Sequence, residues 1–305
     1  MTSPKLRLGT RGSRLALWQA EWVRDALART GTSVEIVVIK TQGDADIDRP
    51  LHQLEGTGFF TKAIEDALLD ERVDIAVHSL KDLPTKFPDG LALGAVPTRY
   101  DPAEALVARD ASANSLDALP PGARVGTSSL RRTSQLRYRR PDLDVVSIRG
   151  NVPTRVDKVT TGTDGLDAAL LALAGLERLG LGDRVTARLD PLDLMPAPGQ
   201  GALGIEIRAD DRRAATALQP LHDAPSYAAV EAERRLLSAL GGGCQAPVGA
   251  WVDVLGSRLY GRVTAEDGSV QLTASAALDP NRPAAAAETV AHLLESQGAS
   301  KLLAR

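Results

Sequence analysis

Val73-Asp74-Ile75-Ala76-Val77-His78-Ser79-Leu80-Lys81-Asp82-Leu83-Pro84 passes from apolar to polar and ionisable residues within a few positions. The short run Val73–Val77 reads as a strand of the buried type, and Pro84 limits how far regular structure can continue. His78-Ser79-Leu80-Lys81-Asp82 then falls at the carboxyl end of that strand, where open α/β sheets place their ligands. Upstream, Lys5–Gly9 reads as a strand and Leu15–Ala28 as a helix with Leu15, Trp18, Trp22 and Ala26 on one face. Val34–Ile39 alternates like a strand. A loop containing Gly and Asp, Thr41 to Gly58, precedes a helix from about Phe60 to Leu69. This β-α-β rhythm predicts an α/β fold with helices on the sheet faces.

Downstream, the rhythm restarts at Arg124. Strand Arg124–Gly126 leads through Thr127-Ser128-Ser129 to a helix reaching Arg137, and strand Asp144–Ile148 leads through Arg149-Gly150-Asn151 to another. Leu166–Leu173 and Gln200–Ile207 are further strand candidates. After Pro220 the pattern changes to one helix, Ser226–Leu240, three alternating strands (Val248–Val254, Arg258–Thr264, Val270–Ala276) and an Ala-rich helix near Ala284–Glu295. That order predicts a small α+β domain at the C-terminus.

The chain has 305 residues, 43% hydrophobic and 25% charged, with a net charge of -3. Such a composition is that of a globular protein with two or three domains. The single cysteine, Cys244, excludes an internal disulfide and fits a reducing compartment. No apolar run is long enough to cross a bilayer and Met1-Thr2-Ser3-Pro4 opens no signal segment, which predicts a cytoplasmic protein without a membrane partner. The net charge and the 3% aromatic content argue against nucleic acid. Positive charge is concentrated instead: Arg124, Arg131, Arg132, Arg137, Arg139, Arg140, Arg149 and Arg155 face only Asp142 and Asp144 in the same segment. Arginine forks suit carboxylate or phosphate. Arg137, Arg139 and Arg140 read as ordinary surface charges.

Gly9-Thr10 and Gly126-Thr127 each end a strand and open a helix beside hydroxyls and arginines. A helix start offers free N–H groups and favours anions, although Ser and Thr in such places also serve simply as N-caps. No phosphate-binding glycine motif occurs, and His52, His78, His222 and His292 lack zinc-ligand spacing, so no metal is expected. Asp82 is the carboxylate best placed to meet a cationic reaction centre, with a loop acid as the plain alternative. Cys244 lies in Gly241-Gly242-Gly243-Cys244-Gln245-Ala246-Pro247, at the tip of a loop and not inside an element.

These motifs together resemble the porphobilinogen deaminase family over nearly the whole chain. The matching stretches are Gly9-Thr10-Arg11-Gly12-Ser13 with Leu15-Ala16-Leu17-Trp18-Gln19, His78 to Pro84, Gly126-Thr127-Ser128-Ser129-Leu130-Arg131-Arg132, Arg149-Gly150-Asn151-Val152-Pro153-Thr154-Arg155, Pro196-Ala197-Pro198-Gly199-Gln200-Gly201-Ala202 and Gly242 to Pro247. Six motifs in the family's order are highly specific. The resemblance implies two domains like the halves of a type II periplasmic binding protein and a third carrying the cysteine. The expected limits are 1–98 with 198–218, then 99–197, then 219–305.

It further implies that four porphobilinogen molecules are condensed head to tail, with release of ammonia, to hydroxymethylbilane, a precursor in tetrapyrrole biosynthesis. The family builds this chain on a dipyrromethane cofactor held by a thioether, which by position falls on Cys244. The catalytic aspartate falls on Asp82. Lys81, Ser129, Arg131 and Arg132 would hold the cofactor, and Arg11, Ser13, Arg149 and Arg155 the substrate, with Gln19, Phe60 and Gln200 beside them. Every pyrrole brings an acetate and a propionate, so arginines in number are what the chemistry requires. Gln53 and Thr57 stand where several relatives carry lysines, and Pro153 replaces a small or acidic residue, departures that bear on the loop over the site. No exposed amphipathic seam suggests more than a monomer. An organic-anion binding module without chemistry would explain the arginines but not the Gly-Gly-Gly-Cys loop.

Overall fold

The computed structural model describes residues 5–41, 61–242 and 246–304. Phe60, Gln53, Thr57 and Cys244 lie outside these described residues. The chain divides into two compact units, Met1–Tyr100 with Ala202–Tyr227, and Asp101–Gly201 with Ala228–Arg305.

The first unit is built on a five-stranded sheet. Its strands are β1 (Leu6–Thr10), β2 (Val34–Val38), β3 (Ile75–Ser79), β4 (Leu91–Ala95) and β10 (Leu203–Arg208), in the order β2-β1-β3-β10-β4. β1 runs parallel to β2 and β3, whereas β10 is antiparallel to both of its neighbours. Helix α1 (Arg14–Arg29) buries Ala20, Val23 and Leu27 against Leu8, Ile75, Val77, Ile205 and Ile207 on one sheet face. Helix α2 (Lys62–Leu69) buries Ile64, Ala67 and Leu68 on the other, against Val73 and Ala76. Fully burying an aliphatic side chain of this size stabilises by about 1.5–3 kcal/mol, so these two layers anchor the unit.

The second unit repeats the plan. β5 (Glu104–Ala108), β6 (Arg124–Gly126), β7 (Asp144–Val146), β8 (Ala168–Ala172) and β9 (Ala187–Leu189) lie in the order β7-β6-β8-β5-β9. β6 is parallel to β7 and β8, and β5 is antiparallel to β8 and β9. In both sheets the antiparallel member is the fourth strand, and in both it comes from outside the β-α-β run. β10 follows the whole second sheet in sequence, and β5 precedes β6. Helices α3 (Leu130–Arg139) and α4 (Val152–Thr161) cover opposite faces, with Leu136 in one core cluster and Val156 and Val159 in the other.

The same unit contains a small C-terminal domain. A three-stranded antiparallel sheet of β11 (Val248–Asp253), β12 (Arg258–Thr264) and β13 (Gln271–Ala277) packs against helices Ala224–Ala239 and Pro283–Ser296 through Leu236, Val290, Leu294 and Val263. Gly261 makes that contact possible. A Cβ there would stand 2.6 Å from Leu236 and 2.7 Å from Val290, closer than packing permits. The fold is thus mixed α/β with a small C-terminal α+β domain, as the sequence patterning predicts. Strands β4, β5 and β9 and helix Arg212–Leu218 are additions to that pattern.

Candidate functional site

In the first unit, the end of β1 and the start of α1 form one wall of an open pocket, with the end of β3 opposite. Arg11, Ser13, Gln19, His78, Ser79 and Asp82 line it. Ser13 is the N-cap of α1 and accepts a hydrogen bond from Ala16 N at 3.3 Å, so the plain capping role holds for it. Gln19 is buried and donates from Nε2 to Ser79 Oγ at 2.8 Å, which links α1 to β3. Leu80, Lys81 and Asp82 form a single 3-10 turn, pinned by Leu80 N donating to Ala202 O at 3.0 Å. That turn lifts Asp82 out of the sheet, and its carboxylate is exposed.

In the second unit the sites lie at the starts of α3 and α4. Ser129 occupies the N-cap position of α3 without capping it through its side chain. Its backbone N–H donates to Thr127 Oγ1 at 3.2 Å instead. Arg131 and Arg132 follow, both buried. Each donates from one terminal nitrogen to Glu104, at 2.5 Å and 2.7 Å, and Glu104 is fully buried. Arg131 also reaches Met195 O at 2.6 Å and Arg132 reaches Leu170 O at 3.0 Å. Burial pushes the Arg131 guanidinium down, and the charge of Glu104 works against that. Arg132 Nε is buried with no hydrogen-bond partner among the described residues.

Asn151 caps α4, accepting from Thr154 N at 2.9 Å, with Pro153 in the first turn. Gly150 precedes it with φ 114°, backbone that a side chain disfavours. Arg155 donates from Nε to Gly150 O at 2.8 Å. Burial, then the charges of Arg132 and Arg149, push its guanidinium down to about 10. Arg132 is itself paired with Glu104, and an anion beside Arg155 would favour its charged form.

The remaining sequence candidates take different positions. Gln200 is buried, and its Nε2 donates to Pro102 O at 2.8 Å. Lys81 is half-buried on the 3-10 turn. Arg139 pairs with Asp117 at the surface at 2.8 Å, as an ordinary surface charge does. Arg140 does more: it pairs with Asp142 at 2.6 Å and donates to the carbonyls of Leu116 and Leu119, which fastens the end of α3. Arg137 donates to Glu266 O at 3.0 Å.

Two glutamates escape sequence reasoning. Glu104 sits at the start of an apolar strand, and Glu233 is fully buried, accepting from Gly199 N at 2.7 Å and Val252 N at 2.9 Å. A lone acid inside an apolar run, as in Glu104-Ala105-Leu106-Val107-Ala108, is the signal that points to the first. Among the described residues no group of three His, Cys, Asp or Glu could hold a metal ion, and no helix is long and apolar enough to cross a membrane.

A dipyrromethane carries acetate and propionate groups. The buried, unpartnered Arg132 Nε beside Arg149 and Arg155 fits such a group.

Comparison with known proteins agrees. The family model described as porphobilinogen deaminase, dipyromethane cofactor binding domain, matches residues 6–216, and that of the porphobilinogen deaminase C-terminal domain matches residues 227–296. The porphobilinogen deaminase of Syntrophobacter fumaroxidans is 46% identical over 307 residues, covering 99% of this chain and 98% of that protein. That of Paraburkholderia phytofirmans is 48% identical over 305 residues, covering 98% and 88%. Among solved structures, a periplasmic substrate-binding protein of an ABC transporter from Coxiella burnetii aligns over 72% of this chain and 92% of its own, with TM-score 0.43 and 15% identity.

Proposed function

This chain belongs to the porphobilinogen deaminase family, and from that membership we propose how its residues divide the work of the enzyme. The reaction condenses four porphobilinogen molecules head to tail and releases ammonia at each addition, giving hydroxymethylbilane. The observation that carries the assignment of roles is the guanidinium cluster of Arg132, Arg149 and Arg155 with its depressed Arg155. Such a cluster is costly without ligand carboxylates and is relieved by them.

Arg131, Arg132, Ser129 and Lys81 hold the side chains of the dipyrromethane, which is attached by a thioether to Cys244, the single cysteine. When bound, that group supplies the nucleophilic pyrrole from which the chain grows. Arg149, Arg155, Arg11 and Ser13 receive the acetate and propionate of the incoming pyrrole. Gln19, Gln200 and Phe60 support them. Arg131 and Arg132 each keep hydrogen-bonding capacity beyond Glu104, so cofactor carboxylates complete an arrangement that Glu104 begins.

Asp82 works on the reacting carbon. Loss of the amine leaves a cationic methylene-pyrrole, and a carboxylate on the pocket wall stabilises that cation and accepts from the pyrrole N–H. Cys244 reacts once, when the cofactor is installed. A thiol of ordinary pKa, about 8.5, supplies enough thiolate against a strong electrophile without a dedicated base.

We also read the chain as three domains, 1–98 with 198–218, 99–197 and 219–305, acting as a cytoplasmic monomer. Intact mass of the purified protein tests the assignment of Cys244. The expected result is an increment of two pyrrole units, absent in Cys244→Ser. A fully free thiol in active protein refutes it. In parallel, Asp82→Asn is expected to keep the fold and lose ammonia release by about 10²-fold or more. Near-normal release removes Asp82 from the mechanism.

A further inference from the structure

A second set of ionisable side chains lies between α2 and the sheet of the first unit, and none of the steps above uses it. Glu206, on β10, is fully buried, and neither carboxylate oxygen has a hydrogen-bond partner among the described residues. His78, on β3, is buried too, and its Nε2 stands 3.3 Å from Glu206 Oε2. The strand register brings them together: Gly204 pairs with His78 and Ala76 with Glu206, so the two side chains leave the same face at diagonal positions. Glu65, on α2, joins them. Burial, then the charge of Glu206, push its carboxyl up, with Asp66 adding to the rise and Thr61 and His78 opposing it.

The other elements packed here add little charge. β4 carries no ionisable side chain, Arg7 of β1 is held by Asp74 at 2.8 Å, and Arg208 of β10 is held by Asp211 at 2.6 Å while donating to the carbonyls of Leu68 and Val73. Among the described residues no lysine or arginine pairs with Glu65 or Glu206. Arg11 and Asp82 are the charged groups of the adjoining pocket.

A buried trio of this kind costs least at zero net charge. It reaches zero in two ways. Both glutamic acids are protonated beside a neutral imidazole, or one is protonated while the other faces an imidazolium. Either way, two dissociable protons are spread over three sites. Moving one proton between Glu206 and His78 converts one form into the other. His78 also lines the pocket that holds Asp82, whereas neither glutamate does.

We propose that His78 is a proton-transfer residue of this enzyme, with Glu206 and Glu65 as the buried store behind it. The proposal rests on the deaminase reading above. At each addition the C–N bond of the ammonium group breaks, its electron pair leaving with ammonia. The new carbon–carbon bond then forms, and the attacking pyrrole carbon must lose its proton so that the C–H pair restores aromaticity. The trio gives one proton to the departing ammonia, which leaves as ammonium, and the imidazole then takes the proton that the pyrrole carbon loses. Charge and atoms balance, and the store is reset for the next pyrrole.

Holoenzyme carrying His78→Gln or Glu206→Gln, assayed for ammonia release from about pH 5.5 to 9, tests this. The expected kcat falls by about 10²-fold for His78→Gln and about tenfold for Glu206→Gln, with KM within about twofold. The kcat–pH profile of Glu206→Gln should also move by about one pH unit. Folded variants with the wild-type kcat and pH profile, or with lowered stability alone, overturn the proposal. Should a variant not fold, the imidazole carbon signals of the unsubstituted holoenzyme decide. A two-step titration of His78 supports coupling to a second group, and a single step at the ordinary imidazole value overturns it. Wild-type protein that releases no ammonia overturns the deaminase reading itself, whereas active wild type with unaltered variants overturns this inference alone.

Discussion

Replacing Glu104 by glutamine removes the one carboxylate shared by Arg131 and Arg132. The change is nearly isosteric, so packing is kept and only the charge goes. Side-chain exposure is 0% for Glu104, 5% for Arg131 and 7% for Arg132, so water cannot replace the lost partner. Arg131 retains Met195 O and Arg132 retains Leu170 O, yet both cations lose their counter-charge, and a glutamine NH₂ comes to face a guanidinium. Breaking a buried ion pair by removing one partner costs about 3–5 kcal/mol. For a body the size of the second unit, that corresponds to a fall in Tm of about 6–20 °C. Thermal unfolding followed by circular dichroism reads the loss, and hydrogen exchange in α3 localises it. A loss below about 1 kcal/mol would refute the reasoning, because Glu104 would then not be what holds the two arginines.

Arg155→Gln should act in the opposite sense on the ligand-free protein. Its folded pKa lies below the unfolded value, so the cation opposes folding at neutral pH. Removing it should stabilise by about 1–2 kcal/mol after allowance for solvent screening, while KM for porphobilinogen rises by about tenfold or more. Calorimetry and steady-state kinetics on one preparation check both halves. Asp74 supplies the pH test. Burial raises its carboxyl, but the hydrogen bonds from Arg7 outweigh that and hold it below the ordinary range. A lowered folded pKa gives stability that is present above the unfolded value of about 3.9 and is lost as pH falls through the folded value. Asp74→Asn should therefore flatten the loss of stability between about pH 4 and 2, and an acid unfolding curve superposing on that of the wild type would count against the pairing.

Much of the architecture was legible because the first β-α-β run and its restart follow simple periods. Leu8, Ile75 and Val77 sit where the apolar pattern places them. Strand β10 was also visible, but its place in the sheet was not, since pairing across more than a hundred residues leaves no local mark. The same limit hid Glu104. Its partners Arg131 and Arg132 stood out as an arginine pair, yet nothing near them in sequence announces the acid that tethers them. Ser13, Gln19 and Asp82 line one pocket because two separate motifs meet at the same edge of the sheet. For Ser129 the motif identified the helix start, while the free side chain at the cap could come only from the fold.

The borrowed fourth strand has a consequence for synthesis. In the first unit β3 and β4 are not neighbours; β10 lies between them and supplies Ile205 and Ile207 to the core. Everything from β5 to β9 leaves the ribosome before β10 does. At a translation rate of about 5–20 residues per second, roughly 5–20 s separate β4 from its partner strand. For that interval the N-terminal sheet has an open seam and incomplete apolar packing, while every strand of the second sheet is already made. The domain that begins the chain is therefore not the first to be finished.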